Sequence, residues 1–247
     1  MSGLITGFQL IGVAEIDEYC SDILKKRFPG VPNYGDVLRL HQCCGYLKPD
    51  IITASPPCQP FSTQGKRRGA ADERDCIPSV LGAIARFQPQ FWCIENVTGL
   101  LTCPSYPGQP TGSYFRGVLR KIAECGYDAE WLRVSSGHFA APFRRERLLL
   151  VGFSRSLVFK HEPLPWTEQA RSFIEEQRIT AQRRGVKPGY PERVVQSTAD
   201  LPRSLGVKNG CPIVRRQRAA AGNLLDPRVA FLVLRRVLYL SQLSTGG

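Results

Sequence analysis

Short apolar runs alternate with amphipathic stretches over the first 150 or so residues, the pattern of strands and helices wound into one sheet. Phe8-Gln9-Leu10-Ile11-Gly12-Val13-Ala14 reads as a strand. Asp17 then opens a helix to about Arg27, closed by Pro29-Gly30. A short strand leads to Gly35-Asp36-Val37, residues 50–54 form another, and 77–87 read as a helix. Phe91-Trp92-Cys93-Ile94 is the next strand and delivers Glu95-Asn96. Gly126 turns the chain into a strand over 129–134, and residues 148–153 are a strongly apolar strand just beyond Arg145 and Arg147. The alternation predicts an α/β fold with a parallel sheet.

Residues 154–208 break this pattern. They are rich in Arg, Glu and Gln and are interrupted by Pro163, Pro165, Pro188, Pro191 and Pro202, which predicts a small, partly irregular insert. Periodicity returns in the tail, where Val229, Leu232, Val233, Arg236, Val237 and Leu240 recur at three- and four-residue steps behind Pro227, a suitable helix start. The expected organisation is a catalytic core over 1–153, an insert over 154–208, and a C-terminal segment over 209–247 that returns to the core.

This organisation gives the polar residues a meaning. Glu15, Asp36, Cys58 and Glu95 each fall at the C-terminal end of a predicted strand. Ligands of open α/β sheets bind outside that edge, so the four side chains should converge on one cleft. An acid placed like Glu15 commonly bonds ribose hydroxyls.

Composition narrows the class. A chain of 247 residues can bury the core of one large domain. It has no apolar run of 18 residues, and Met1-Ser2-Gly3-Leu4 has no basic leader, so neither a membrane span nor a secretory signal is expected. Nine scattered cysteines form no Cys-x-x-Cys pair, which argues against a disulfide framework or zinc site and for a reducing cytoplasm. His41, Cys43 and Cys44 lack the second ligand pair that zinc requires. Residues 1–114 hold 10 Lys/Arg and 10 Asp/Glu, and residues 115–247 hold 23 and 11, so the whole net charge of +12 lies in the second half. Charge so placed suits a polyanion, though a solubilising surface is the plain alternative.

The chemistry centres on Pro56-Pro57-Cys58-Gln59-Pro60-Phe61-Ser62. Proline fixes its own φ and restricts the residue before it, so this loop loses little entropy in holding one geometry. A sulfur that must strike one atom of a substrate benefits from that stiffness.

With this heptapeptide, six further segments resemble the DNA (cytosine-5)-methyltransferase family. They are Glu15-Ile16-Asp17, Gly35-Asp36-Val37, Asp72-Glu73-Arg74-Asp75, Glu95-Asn96-Val97, Arg145-Glu146-Arg147 and Gly222-Asn223, in the family's order. The resemblance implies a Rossmann-like, S-adenosyl-L-methionine-dependent methyltransferase fold with 154–208 as target-recognition region. It implies catalytic roles for Cys58, Glu95, Arg145 and Arg147: attack on C6 of a flipped-out cytosine, a grip on N3 and the amine, and support of the base. It places the cofactor against Glu15, Ile16, Asp36, Val37, Pro57, Ile77 and Asn223. It further implies a monomer acting on double-stranded DNA, in a restriction–modification or phage setting where a cognate restriction endonuclease is a partner. Gly7-Phe8 already matches the segment beyond the family's opening Phe-x-Gly-x-Gly turn, which implies an N-terminally truncated core with an open methionine end of the cofactor site. Phe143 stands where the family often has Gln. An inactive DNA-binding homologue and an RNA cytosine methyltransferase are the alternative expectations.

Overall fold

The computed structural model describes residues 7–40, 47–63, 67–139, 145–183 and 227–244. Four strands form one sheet: β1 (Ile51–Ala54), β2 (Phe91–Asn96), β3 (Tyr127–Ser135) and β4 (Glu146–Ser154), in the order β1-β2-β4-β3. β1 and β2 run parallel, with Ile51 opposite Phe91. β4 is antiparallel to both β2 and β3, so the sheet is mixed rather than parallel as its pattern suggested. The cause is the connection between β3 and β4, which is too short to carry a crossover helix and therefore reverses the chain.

The five helices described are α1 (Glu18–Arg27), α2 (Ile77–Phe87), α3 (Ser113–Glu124), α4 (Trp166–Arg183) and α5 (Pro227–Leu243). The sheet alternates its apolar side chains between two cores, as period two requires. Trp92, Ile94, Leu148 and Leu150 point to one face and pack with Ile77, Val80, Leu81 and Ile84 of α2 and Phe115, Val118 and Ile122 of α3. Phe91, Cys93, Leu149 and Val151 point to the other, against Trp166, Ala170 and Phe173 of α4 and Val229, Leu232, Val233, Val237 and Leu240 of α5. Central strands buried on both faces explain why 91–94 and 148–153 read as unbroken apolar runs. Gly152 lies opposite Trp92, and a Cβ there would sit 1.9 Å from the indole, so the tryptophan occupies the place of a side chain.

Two expectations need correction. The predicted strand over Phe8–Ala14 is reduced to one parallel bridge, Val13 with Asn33. A ladder needs a paired strand along its whole length, and among the described residues 8–12 pair with none; Leu10 and Ile11 stay 39% and 40% exposed. The stretch read as a small, partly irregular insert contains α4, whose Trp166, Ala170 and Phe173 are buried against the sheet. Its apolar residues are sparse enough to be masked by the surrounding Arg, Glu and Gln. Residues 184–226, with the rest of that segment, Arg184, Arg215, Arg216, Gly222 and Asn223, lie outside the described residues, as do His41, Cys43, Cys44, Phe143, Arg144 and Cys211. Among the described residues no helix is long and apolar enough to cross a membrane.

Candidate active site

The loop after β1 is pinned at its ends and open in its middle. Pro56, Pro60 and Phe61 are buried, whereas Pro57 and Gln59 are exposed and Cys58 is half-buried between them. The Cys58 carbonyl accepts from the backbone N–H of Phe61 at 3.0 Å and of Ser62 at 2.9 Å, which closes a tight turn behind the sulfur. Phe61 is fully buried and packs on Tyr114 in a tilted arrangement with ring centroids 4.8 Å apart. The Tyr114 hydroxyl in turn donates to Asp75, and Asp75 also accepts from the backbone N–H of Ile77 at 3.0 Å. Asp72 of the same segment accepts from Arg74 through two bonds, 2.8 and 2.7 Å, and the guanidinium holds that carboxyl down at about 2. The Asp72–Asp75 segment is therefore a brace behind the cysteine loop.

Opposite the loop, β2 ends in Glu95 and Asn96. Glu95 pairs in register with Leu149 of β4, so Arg147, two residues earlier on β4, is its diagonal neighbour on the same face. Arg147 Nε meets Glu95 Oε1 at 2.6 Å, and the two side chains are 13% and 17% exposed. Arg147 also donates to the Glu146 carbonyl at 2.8 Å. Burial raises the Glu95 carboxyl above the ordinary glutamate range, opposed by Arg147, by a hydrogen bond with Ser55 and by Arg145. Burial likewise pulls the Arg145 guanidinium down, with help from Arg147 and against Glu95 and Cys58. Arg145 thus lies within electrostatic reach of both Glu95 and Cys58. The four side chains expected to act together, Cys58, Glu95, Arg145 and Arg147, share one end of the sheet.

Two contacts that the sequence does not reveal tie the loop to the strand. Asn96, 1% exposed, donates from Nδ2 to the Pro56 carbonyl at 3.2 Å, and Ser55 hydrogen-bonds Glu95. The chain alone marks Asn96 only as part of a motif, because its partner is a backbone group 40 residues away.

Some of the residues expected to hold a cofactor lie together in a second cluster. Asp36 caps the short turn Val37–Arg39, accepting from Leu38 N–H at 2.9 Å through Oδ1. Val37 packs against the core that contains Ile77, and the Cys76 thiol feels the Asp36 charge, so Asp36, Val37 and Ile77 lie together. Glu15 accepts from Asp17 N–H at 2.9 Å through Oε1, and its backbone is clasped by Asn33 at 3.0 Å in each direction. Asp17 caps α1 as its position suggested, accepting from Cys20 N–H at 2.8 Å. Among the described residues Glu15 Oε2 and Asp36 Oδ2 accept no hydrogen bond, which leaves each acid one oxygen for a hydroxyl or amine of a ligand. Ile16, next to Glu15 in the chain, is 73% exposed, an apolar surface that a flat ring could cover. Pro57 stands next to Cys58 and is exposed; Asn223 lies outside the described residues.

A model of the C-5 cytosine-specific DNA methylase family matches residues 4–200. Type II methyltransferase M.BsuFI of Bacillus subtilis is 34% identical over 145 residues, 58% of this chain and 34% of the relative. Type II methyltransferase M.AplI of Arthrospira platensis is 31% identical over 148 residues, 60% of this chain and 40% of the relative. The chain therefore spans well under half the length of either. Among solved structures, S. pombe Dnmt2 methyltransferase superposes with a TM-score of 0.52 at 21% identity, over 70% of this chain and 51% of that one. At that identity the likeness is one of fold, and it supports a Rossmann-like methyltransferase sheet.

Proposed function

The chain belongs to the C-5 cytosine-specific DNA methylase family, and on that premise we propose that it transfers a methyl group to C5 of cytosine in double-stranded DNA. The observation that carries the reading is the grouping of a half-buried cysteine on a proline-stiffened loop with a half-buried Glu95–Arg147 pair and with Arg145, which senses both Cys58 and Glu95. C5 of cytosine is a poor nucleophile. Addition of the Cys58 thiolate to C6 turns the ring into an enamine whose C5 can attack an electrophile. Glu95, a carboxyl raised by burial, is the group proposed to give a proton to N3 as C6 is attacked and to take it back as the thiolate leaves, while Arg147 orients it. Arg145 offers its guanidinium to the base oxygen. The C5 proton then leaves to a base, and the thiolate is expelled as the double bond re-forms. A base inside a duplex hides C6 from any such sulfur, so the cytosine must be turned out of the stack.

S-adenosyl-L-methionine, when bound, supplies the electrophilic methyl group. Its adenosine end suits the Asp36, Val37 and Ile77 cluster, with Ile16 beside the adenine and the unused Glu15 oxygen for the ribose hydroxyls; Pro57 and Asn223 are proposed for the methionine end. The named relatives are Type II methyltransferases, which favours a restriction–modification setting; a cognate endonuclease, a cytoplasmic location and action as a monomer are proposed with it.

Parallel incubations of unmethylated duplex DNA and of RNA with labelled S-adenosyl-L-methionine, followed by nucleoside analysis, test the proposal. It expects label in 5-methylcytosine, lost in Cys58→Ala. Binding of cofactor and DNA with no label transferred would favour an inactive DNA-binding homologue, and label in RNA alone would favour an RNA enzyme.

A further inference from the structure

We propose that Asn96 and Gly99 are positioning residues that hold the Cys58 loop at a fixed distance from Glu95, an inference that rests on the catalytic reading above. Glu95, Asn96 and Gly99 follow one another at the end of β2 and in the turn Thr98–Thr102. Asn96 grips the start of the cysteine loop, Nδ2 to the Pro56 carbonyl at 3.2 Å, while its own Oδ1 accepts from Val97 N–H at 2.9 Å. Gly99 meets the other end of the loop. A Cβ at this position would lie 2.3 Å from the Phe61 carbonyl oxygen and 3.4 Å from its carbon. Gly99 is absent from the glycines with positive φ, so the constraint is space and not backbone conformation. Arg67 holds the turn itself, donating from Nη2 to the Gly99 carbonyl at 3.1 Å and to Thr102 Oγ1 at 2.8 Å.

The loop between these two contacts contains Cys58. The same strand end therefore sets the place of the carboxyl and both anchor points of the nucleophile. A real Cβ does not come within 3.0 Å of such an atom, so Gly99→Ala must push the Phe61 backbone away by at least about 0.7 Å. Misplacement of a reacting group by about 1 Å costs roughly 100-fold in rate. Asn96→Asp keeps the acceptor for Val97 N–H but sets a carboxylate oxygen against the Pro56 carbonyl, which releases the first anchor.

The test compares wild type, Gly99→Ala, Asn96→Asp and a control, Gly82→Ala, a helical position with open space around it. Two readouts are taken: kcat and KM for methyl transfer to DNA, and the rate at which iodoacetamide alkylates Cys58, followed by peptide mass. Protection of the buried Cys93 and Cys103 reports that the fold is intact. The proposal expects kcat to fall roughly 100-fold in Gly99→Ala and Asn96→Asp with KM within about threefold of wild type. It also expects Cys58 alkylation to change at least about threefold while Cys93 stays protected and Gly82→Ala matches wild type. Wild-type kcat and alkylation in both variants would overturn it. If Gly99→Ala loses Cys93 protection, Asn96→Asp decides. A wild-type chain that alkylates normally but transfers no methyl contradicts the functional reading alone, and the alkylation rates then decide the positioning claim.

Discussion

At the scale of single residues, the most consequential property is the state of Glu95. Burial favours its neutral form more than Arg147 and Arg145 favour the charged one, so its carboxyl titrates above the usual glutamate range. A group raised in the folded state adds stability below its unfolded value and loses it as pH rises through the folded value. Glu95→Gln copies the neutral form without that loss. Urea melts of the two proteins should therefore nearly coincide in acid and separate above about pH 4, with the glutamine variant the more stable. A glutamate raised by burial is not readable from sequence, because the ionisation of Glu95 depends on how tightly Ser55, Arg145 and Arg147 close around it. Its place at the end of β2 is readable, since four apolar residues before it fix the strand. Glu15 and Asp36 are legible as acids at strand ends. What the chain alone hides is that each spends one oxygen on a turn, Glu15 on Asp17 and Asp36 on Leu38.

At the scale of elements, α5 is the part most legible in the sequence. Val229, Leu232, Val233, Arg236, Val237 and Leu240 repeat at helical spacing, and all six are buried in the structure. The arginine in that stripe looks like an interruption. It is instead the joint between three elements: Arg236 binds Glu130 of β3 at 2.5 and 3.1 Å, the Leu164 carbonyl at 2.8 Å and Gln169 of α4 at 2.7 Å, with its guanidinium over Tyr239. Its hydrogen-bond partners are 67 to 106 residues away, beyond any local pattern. At 4% exposure its loss strands Glu130 and the Leu164 carbonyl, so Arg236→Ala should destabilise the protein by about 3–5 kcal/mol in chemical denaturation. The stretch over 8–14 is the opposite case. Its composition is that of a strand, yet pairing depends on a neighbour that composition does not supply, and only Val13 is bridged.

At the scale of the whole molecule, charge and cleft have to agree. The excess of basic residues lies in the second half of the chain, part of it on α5 at Arg228, Arg235 and Arg236 and part outside the described residues. If that excess neutralises about four phosphates, affinity for duplex DNA should fall roughly 100-fold between 50 and 200 mM salt in a fluorescence titration. A flat response would leave the charge as a solubilising surface.

What remains decisive is whether sulfur and carboxyl work on one pyrimidine. Duplex DNA carrying 5-fluorocytosine blocks removal of the C5 substituent, so turnover halts with the base still joined to the protein. With S-adenosyl-L-methionine present, a denaturation-resistant protein–DNA species is expected, its cross-link mapped by mass spectrometry to Cys58, absent in Cys58→Ala and strongly diminished in Glu95→Ala. A folded wild-type protein that binds both ligands yet yields no such species, or one joined through another residue, would contradict the account.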